Sequence, residues 1–428
     1  MIEKLVLFFK STFVKNVLTL MSGSSASQII IYAATLILTR LFSEDLFGVY
    51  ILFSSSVIIL KPITSLQYEL SILLPKRDKD AINLFVFSIL NITIISIILA
   101  LLIFVFEKQI ISFLKLEKLG FFIHLIPLCS FLYSCIVSLE YWNNRMNLFK
   151  NISKGIVIKS FTMSAFQILI GISAYNFLGL VPGIIIGFLC QLSTLLVSAL
   201  KTIKSSFKYV SYKRMLFLAK KHKDIPKLNT LLSFSNQLSN ELPVYLITSY
   251  FGLGYAGIYG LAIKITKAPM GIIQQAIGPV FFNKISKQYN SNESLNSTVK
   301  KTYQKLLLIG FAFFTLLFIA SFFFDIIFGE NWIDVGLYTR ILIPWLFVGF
   351  LNVPISSVIV VLNKQKTILY YDILLFVFRF LAFYVGYNVY NSVLISLFLF
   401  SAIGVLFNTF ILIYFLKISS KTRKSNFS

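Results

Sequence analysis

KTIKSSFKYVSYKRMLFLAKKHKDIPK, residues 201–227, is the stretch that decides how this chain is built. It is the longest polar gap in the sequence and holds Lys201, Lys204, Lys208, Lys213, Arg214, Lys220, Lys221, Lys223 and Lys227. Six apolar stretches precede it, over 17–39, 46–66, 82–106, 119–141, 156–177 and 180–200, and six follow, over 228–251, 256–282, 306–328, 337–362, 368–387 and 393–416. Spans of about 20 apolar residues match the hydrocarbon thickness of a bilayer, and a helix satisfies its own backbone polar groups where water is absent. The sequence therefore predicts an all-α, polytopic membrane protein with 12 transmembrane helices.

Working outward from 201–227, basic residues recur on the same side of the predicted membrane. About 30 of the 39 lysines and arginines fall in the two tails and the five gaps on that side, against about 5 in the six opposite gaps. The gaps around Asn176, Gly254 and Asn388 hold none. Both termini are expected to be cytoplasmic. An AT-rich coding sequence would account for a net charge of +23 but not for its one-sided placement. The basic residues are not interleaved with aromatics on a soluble domain, so no nucleic-acid partner is expected. Within the gap, 212–219 reads as a short amphipathic helix lying on the anionic inner leaflet.

With 57% hydrophobic and 13% charged residues, no large soluble domain fits. Lys4, Lys10 and Lys15 precede the first span without a following small-residue cleavage site, which reads as an uncleaved first helix. Cys129, Cys135 and Cys190 lie inside spans and imply no disulfide framework. Neither His124 nor His222 belongs to a Cys or His cluster, so no metal site is expected, and no P-loop or Gly-x-Ser-x-Gly stretch occurs. The chain is not expected to be an enzyme.

Shifting the sequence on itself by 209 residues pairs Ser24 with Ser233, Gln28 with Gln237, Thr39 with Thr248, Phe42 with Phe251, Gly48 with Gly257, Tyr50 with Tyr259 and Leu52 with Leu261. In each copy a span ends, the chain turns, and Gly-x-Tyr opens the next helix. Six spans separate the copies, so the two halves share an orientation and are related by an axis along the membrane normal. Two six-helix lobes around a central cavity are expected: 1–207 and 228–428, joined by a basic cytoplasmic linker over 208–227.

Charges inside spans are costly, about 2.5–3.5 kcal/mol each on insertion scales, and so tend to face a bundle interior or a wet cavity. Lys61, Lys264, Lys267 and Arg379 are such cations. Lys61 and the Lys264/Lys267 pair occupy corresponding helices of the two halves, and Lys264 and Lys267 share a helix face. The acids in spans are Glu69 and Glu140 near helix ends, Glu241 near mid-depth and Asp372. Cations outnumber acids at depth, which suits an anionic ligand. A second reading stays open, in which Glu241 pairs with Lys264, Asp372 pairs with Arg379, and Lys61 snorkels to the surface. Pro62, Pro243, Pro269 and Pro279 add helix breaks suited to a rocking transporter.

In length, span count, terminal placement and the stretches 38–50 (LTRLFSEDLFGVY) and 250–259 followed by Ala262-Ile263-Lys264-Ile265, the chain resembles the polysaccharide and O-antigen repeat-unit flippases of the multidrug/oligosaccharidyl-lipid/polysaccharide exporter superfamily. The resemblance implies a flippase of the bacterial inner membrane. It would turn an undecaprenyl-pyrophosphate-linked oligosaccharide, a repeat unit of O-antigen, capsule or exopolysaccharide, from the cytoplasmic to the outer face by alternating access. It implies no cofactor, a proton or sodium gradient as the drive, and a glycan polymerase and chain-length regulator as partners. By the same resemblance, Lys264 falls where a cavity-facing cation is often found, and Arg40 matches an arginine before the first external turn, structural or at the cavity mouth. From their depth, Lys264, Lys267 and Arg379 are expected to receive the pyrophosphate, with Lys61 contributing from the opposite half. Glu241, Asp372 and Glu69 are the ion-coupling candidates. Twelve spans rather than 14 argue against the lipid II branch. The rival readings are a multidrug/cation antiporter of the same superfamily, a polytopic glycan polymerase or acyltransferase, and a non-transporting scaffold. Short external gaps, the longest being 107–118 and 329–336, and a single histidine within a span, His124, weigh against the enzymes.

Overall fold

The computed structural model describes residues 12–114, 117–173, 175–291, 294–355, 358–359, 362 and 364–421, which form helices and turns with no strand among them. Lys4, Lys10 and the C-terminal basic residues beyond 421 lie outside the described residues. The chain divides into two compact units, Met1–Glu241 and Leu242–Ser428.

The N-terminal unit contains α1 (Thr12–Leu41), α2 (Glu44–Ser65), a 3-10 segment Tyr68–Leu73, α3 (Asp78–Val105), α4 (Glu107–Leu114), α5 (Ile126–Arg145), α6 (Phe149–Gly171), α7 (Val181–Phe207) and α8 (Tyr212–Lys221). Helix α9 (Asp224–Tyr250) runs across the division. The C-terminal unit holds α10 (Leu253–Asn290), α11 (Asn296–Ala320), α12 (Phe324–Phe328), α13 (Ile333–Leu351), α14 (Gln365–Asn388) and α15 (Val393–Lys421). In the first unit α1, α6 and α7 pack in sequence and α5 bridges α2, α3 and α7; in the second, α13 packs on α10, α11 and α15, and α14 on α15.

Nine helices among the described residues are long and apolar enough to cross a membrane, and they match nine of the twelve expected spans. The other three expected spans, 156–177, 228–251 and 256–282, fall on α6, α9 and α10, which are long enough but more polar. Lys154 and Lys159 interrupt α6, a run of Ser, Asn and Gln from Ser233 to Asn240 interrupts α9, and Lys264 and Lys267 interrupt α10. In hydrocarbon such helices are tolerated where other helices shield their polar faces. The chain is thus a multi-pass membrane protein.

Because lipid tails are as apolar as leucine, small and hydroxylated side chains hold membrane helices together. Ser27 of α1 meets Ser160 of α6, and Ser88 of α3 meets Ser138 of α5 at 3.1 Å. Trp142 of α5 donates its indole N–H to Thr202 of α7 at 3.1 Å. Around Trp142, buried Ile72, Ile82, Phe85, Leu139 and Leu195 form the core of this unit.

Both copies of the repeat turn at matched places. Ser43 separates α1 from α2 and caps α2 by accepting the Leu46 N–H, whereas Gly252, 209 positions later, separates α9 from α10 at φ +113°. No atom lies within 4 Å of a Cβ built on Gly252, so Gly252→Ala meets only backbone strain. A non-glycine residue held there costs about 1–3 kcal/mol, and a lowered thermal midpoint of the purified protein is the expected result.

The segment 208–227, expected as a tether, is tied to the N-terminal unit. The Asn83 side chain donates to Tyr209 O at 2.9 Å and accepts from Ser211 N at 2.9 Å, while Arg214 Nε donates to Asp80 at 2.8 Å. The amphipathic helix expected over 212–219 is α8, which buries Met215, Leu218 and Ala219 and exposes Tyr212, Leu216 and Phe217.

Candidate functional site: buried cations in each unit

In the C-terminal unit, two of the cations singled out by sequence meet over one indole. Lys267 Nζ of α10 lies 5.5 Å from the Trp345 ring centre and Arg379 of α14 lies 5.3 Å from the same ring. Arg379 also stacks on Phe400 of α15 at 5.0 Å, and Phe400 meets Trp345 edge-on at 4.8 Å. The aromatic faces supply negative potential where water is excluded, an interaction worth up to about 2 kcal/mol per cation when desolvated. Arg379 is 3% exposed and Trp345 5%.

Local packing sets this arrangement. A Cβ on Gly404 of α15 would collide with the Trp345 ring, so glycine lets α15 approach α13 closely enough to bring Phe400 under the guanidinium. Asp372, also buried, lies two helical turns before Arg379, and its charge acts on Arg379 together with the hydroxyls of Tyr259 and Tyr371. Lys264 sits half-buried one turn before Lys267 on α10. Nearby, Asn352 donates to Asn408 Oδ1 at 2.8 Å, and Tyr371 donates to the same oxygen at 3.5 Å. Beyond Tyr371, a cavity of about 510 Å³ between α14 and α15 is walled by Tyr370, Leu374, Phe407, Phe410 and Tyr414.

In the N-terminal unit the buried cations lie near carboxylates. Lys61 bonds Glu69 at 2.7 Å, and Ser65 donates to the same carboxylate oxygen at 3.1 Å. The geometry follows from the break after α2: Leu66 and Gln67 adopt φ +45° and +55°, which swings the 3-10 segment back so that Glu69 points at the last turns of α2. Arg145 fixes that segment from outside by donating to Ile72 O at 3.1 Å and bonding Asp78 at 2.9 Å.

A second polar group lies deeper. Gln191 of α7 donates to Glu140 of α5 at 3.0 Å, and Lys159 of α6 and Lys61 both act electrostatically on that carboxylate. Lys159 also lies 5.9 Å from the Phe188 ring, which stacks on Tyr133. Glu241 of α9 accepts a hydrogen bond from Ser55 of α2 at 2.6 Å.

Of the residues expected at the site, Lys267, Arg379 and Asp372 are gathered in the C-terminal unit with Lys264 close by on α10. Lys61 and Glu69, expected as substrate and ion-coupling residues respectively, are instead each other's partner. Arg40 is exposed at the end of α1, where its guanidinium donates to Leu36 O of its own helix at 2.6 Å, a capping role. Sequence reading passed over Trp345, Lys159 and Arg340. Lys159 and Arg340 carried a legible signal, since both lie inside expected spans. Arg340 stacks on Phe322 at 4.3 Å and donates to Ser321 O at 3.2 Å. Trp345 carried no such signal, because one tryptophan in an apolar helix is indistinguishable from packing.

The family described as "polysaccharide biosynthesis protein" matches residues 37–336. No curated protein matches the chain. Among solved structures, the chain is similar to an inward-facing multidrug resistance MATE family transporter of the MOP superfamily at TM-score 0.72 and 14% identity, over 93% of this chain and 96% of that one. It is similar at TM-score 0.72 and 14% identity to the lipid II flippase MurJ in an inward closed conformation, over 94% and 90%. It is similar at TM-score 0.61 and 12% identity to a Vibrio cholerae MATE transporter, over 96% and 97%. These likenesses show the fold, which is shared with the MATE transporters and MurJ.

Proposed function

Since this chain belongs to the polysaccharide biosynthesis protein family, we propose that it is a flippase for an undecaprenyl-pyrophosphate-linked oligosaccharide, moving the head from the cytoplasmic to the outer face of a bacterial inner membrane by alternating access. The observation that carries this reading is the convergence of Lys267 and Arg379 on Trp345 inside the C-terminal unit. A pyrophosphate and hydrated sugars cannot enter hydrocarbon unaided, whereas the prenyl chain need not leave it. Two cations held against one aromatic ring concentrate positive potential at a position suited to a polyanion.

Lys264 and Lys267 are half-exposed and meet the pyrophosphate first; Arg379, covered in this arrangement, joins as α14 moves. Lys61 contributes only if Glu69 releases it. Glu241 and Asp372 are the carboxylates that exchange a proton or sodium ion, and Glu69 serves the N-terminal unit in the same way during release of Lys61. Both termini are cytoplasmic, following the placement of the basic gaps. Glycan polymerase and chain-length regulator act on the product.

Export of organic cations, the job of a multidrug antiporter, calls for net negative charge at the binding depth, and the Trp345 cluster has the opposite sign. Lys264→Ala is expected to abolish surface glycan in a complemented deletion strain while the protein stays at its normal level in the membrane fraction. Normal glycan in that variant removes Lys264 from the site. Unchanged glycan in the deletion strain itself, with gained drug sensitivity, replaces the flippase reading by the antiporter.

A further inference from the structure

An open pocket of about 430 Å³ lies in the N-terminal unit where α2 ends and α9 begins, apart from every residue assigned above. Its floor is apolar: Ile63 and Leu66 from α2, and Leu231 and Phe234 from α9. Its rim is basic. Lys223 and Lys227 are both exposed and lie one helical turn apart, with Lys227 N donating to Lys223 O at 3.4 Å, so their ammonium groups share a face.

Tyr68 and Thr230 also line the pocket. The Thr230 hydroxyl oxygen is buried and has no hydrogen-bond partner among the described residues. A buried hydroxyl without a partner is destabilising, so the position is suited to a group that brings an acceptor. Asp224, which opens α9, is not among the residues lining the pocket.

We propose that this pocket holds the phosphate head of an anionic glycerophospholipid. Lys223 and Lys227 contact the phosphate, Thr230 donates to an ester oxygen, and the first chain carbons lie over Ile63, Leu66, Leu231 and Phe234. The volume falls within the range of small-molecule pockets. The depth is right as well, because the apolar stretch 46–66 ends and the stretch 228–251 begins at this level, placing lysines above and hydrocarbon contacts below. An anionic leaflet attracts basic side chains at this position. A bound lipid would tie the start of α9 to the end of α2. The proposal does not rest on the flippase reading and stands or falls separately from it.

The test is native mass spectrometry of the full chain titrated in turn with phosphatidylglycerol, phosphatidylcholine and inorganic phosphate. The wild-type protein is expected to retain phosphatidylglycerol over phosphatidylcholine. Lys223→Gln/Lys227→Gln should weaken that retention about thirty-fold, the combined effect of two lysines at a charged surface. Lys220→Gln/Lys221→Gln, an equal loss of charge outside the pocket, should leave it unchanged, and Thr230→Val should lower it to a smaller extent. Equal retention of the two lipids, equal loss in both lysine pairs, or displacement of phosphatidylglycerol by inorganic phosphate overturns the proposal.

Discussion

Arg379→Ala is expected to reduce surface glycan to below about one tenth of the wild-type level in a strain that depends on this chain, because the guanidinium is held on two rings rather than by a surface ion pair. A desolvated cation–π contact contributes about 2 kcal/mol, roughly a thirty-fold effect on a rate if it acts in the transition state. Arg379→Lys retains charge but loses the planar fork that stacks on Trp345 and Phe400, so partial recovery is expected. Trp345→Leu, which leaves both cations but removes the shared ring, should resemble Arg379→Lys more than Arg379→Ala. Glycan on the cell surface is compared with protein in the membrane fraction. Loss of glycan at constant protein supports a role in transport; parallel loss of both makes the cluster structural.

The second large effect is on stability and concerns Glu69, which is 0% exposed and bonds Lys61. Glu69→Ala leaves an ammonium in a largely buried site with no nearby counter-charge from the 3-10 segment. Breaking a buried pair by removing one partner costs about 3–5 kcal/mol. A fall in the thermal midpoint of the purified protein, and lower abundance in the membrane, should follow. Lys61→Met/Glu69→Gln removes both charges and is expected to recover most of the loss, since replacing a whole buried pair by neutral groups is often close to neutral. A double variant as unstable as Glu69→Ala would mean that the damage comes from Ser65 and the turn at Leu66–Gln67, not from the stranded lysine. Wild type, Lys61→Met, Glu69→Gln and Lys61→Met/Glu69→Gln form a double-mutant cycle that measures the coupling directly.

Apolar runs and one-sided lysines made the all-helical membrane fold legible, and the 209-residue shift located both turns, at Ser43 and Gly252. The three most polar spans were harder, because α6, α9 and α10 depend on neighbouring helices to shield lysines and amides that composition alone counts against them. Depth along a helix singled out Lys267, Arg379 and Asp372 as candidates. Depth could not identify partners. Lys61 and Arg379 look alike in sequence as lone cations within apolar helices, yet one faces a carboxylate eight residues on and the other faces rings contributed by α13 and α15. Lys159 and Glu140 sit on different helices, and the packing of α5, α6 and α7 brings the lysine within electrostatic reach of the carboxylate.

By itself the sequence determined where the membrane-spanning helices run, since that follows from the local cost of placing apolar, polar and charged groups in a bilayer. Only tertiary structure decided which side chains each buried charge meets. Ion pairing and ring stacking depend on side chains from different helices arriving within a few ångströms. That distance was set at Glu69 by two left-handed residues after α2 and at Trp345 by the missing Cβ of Gly404.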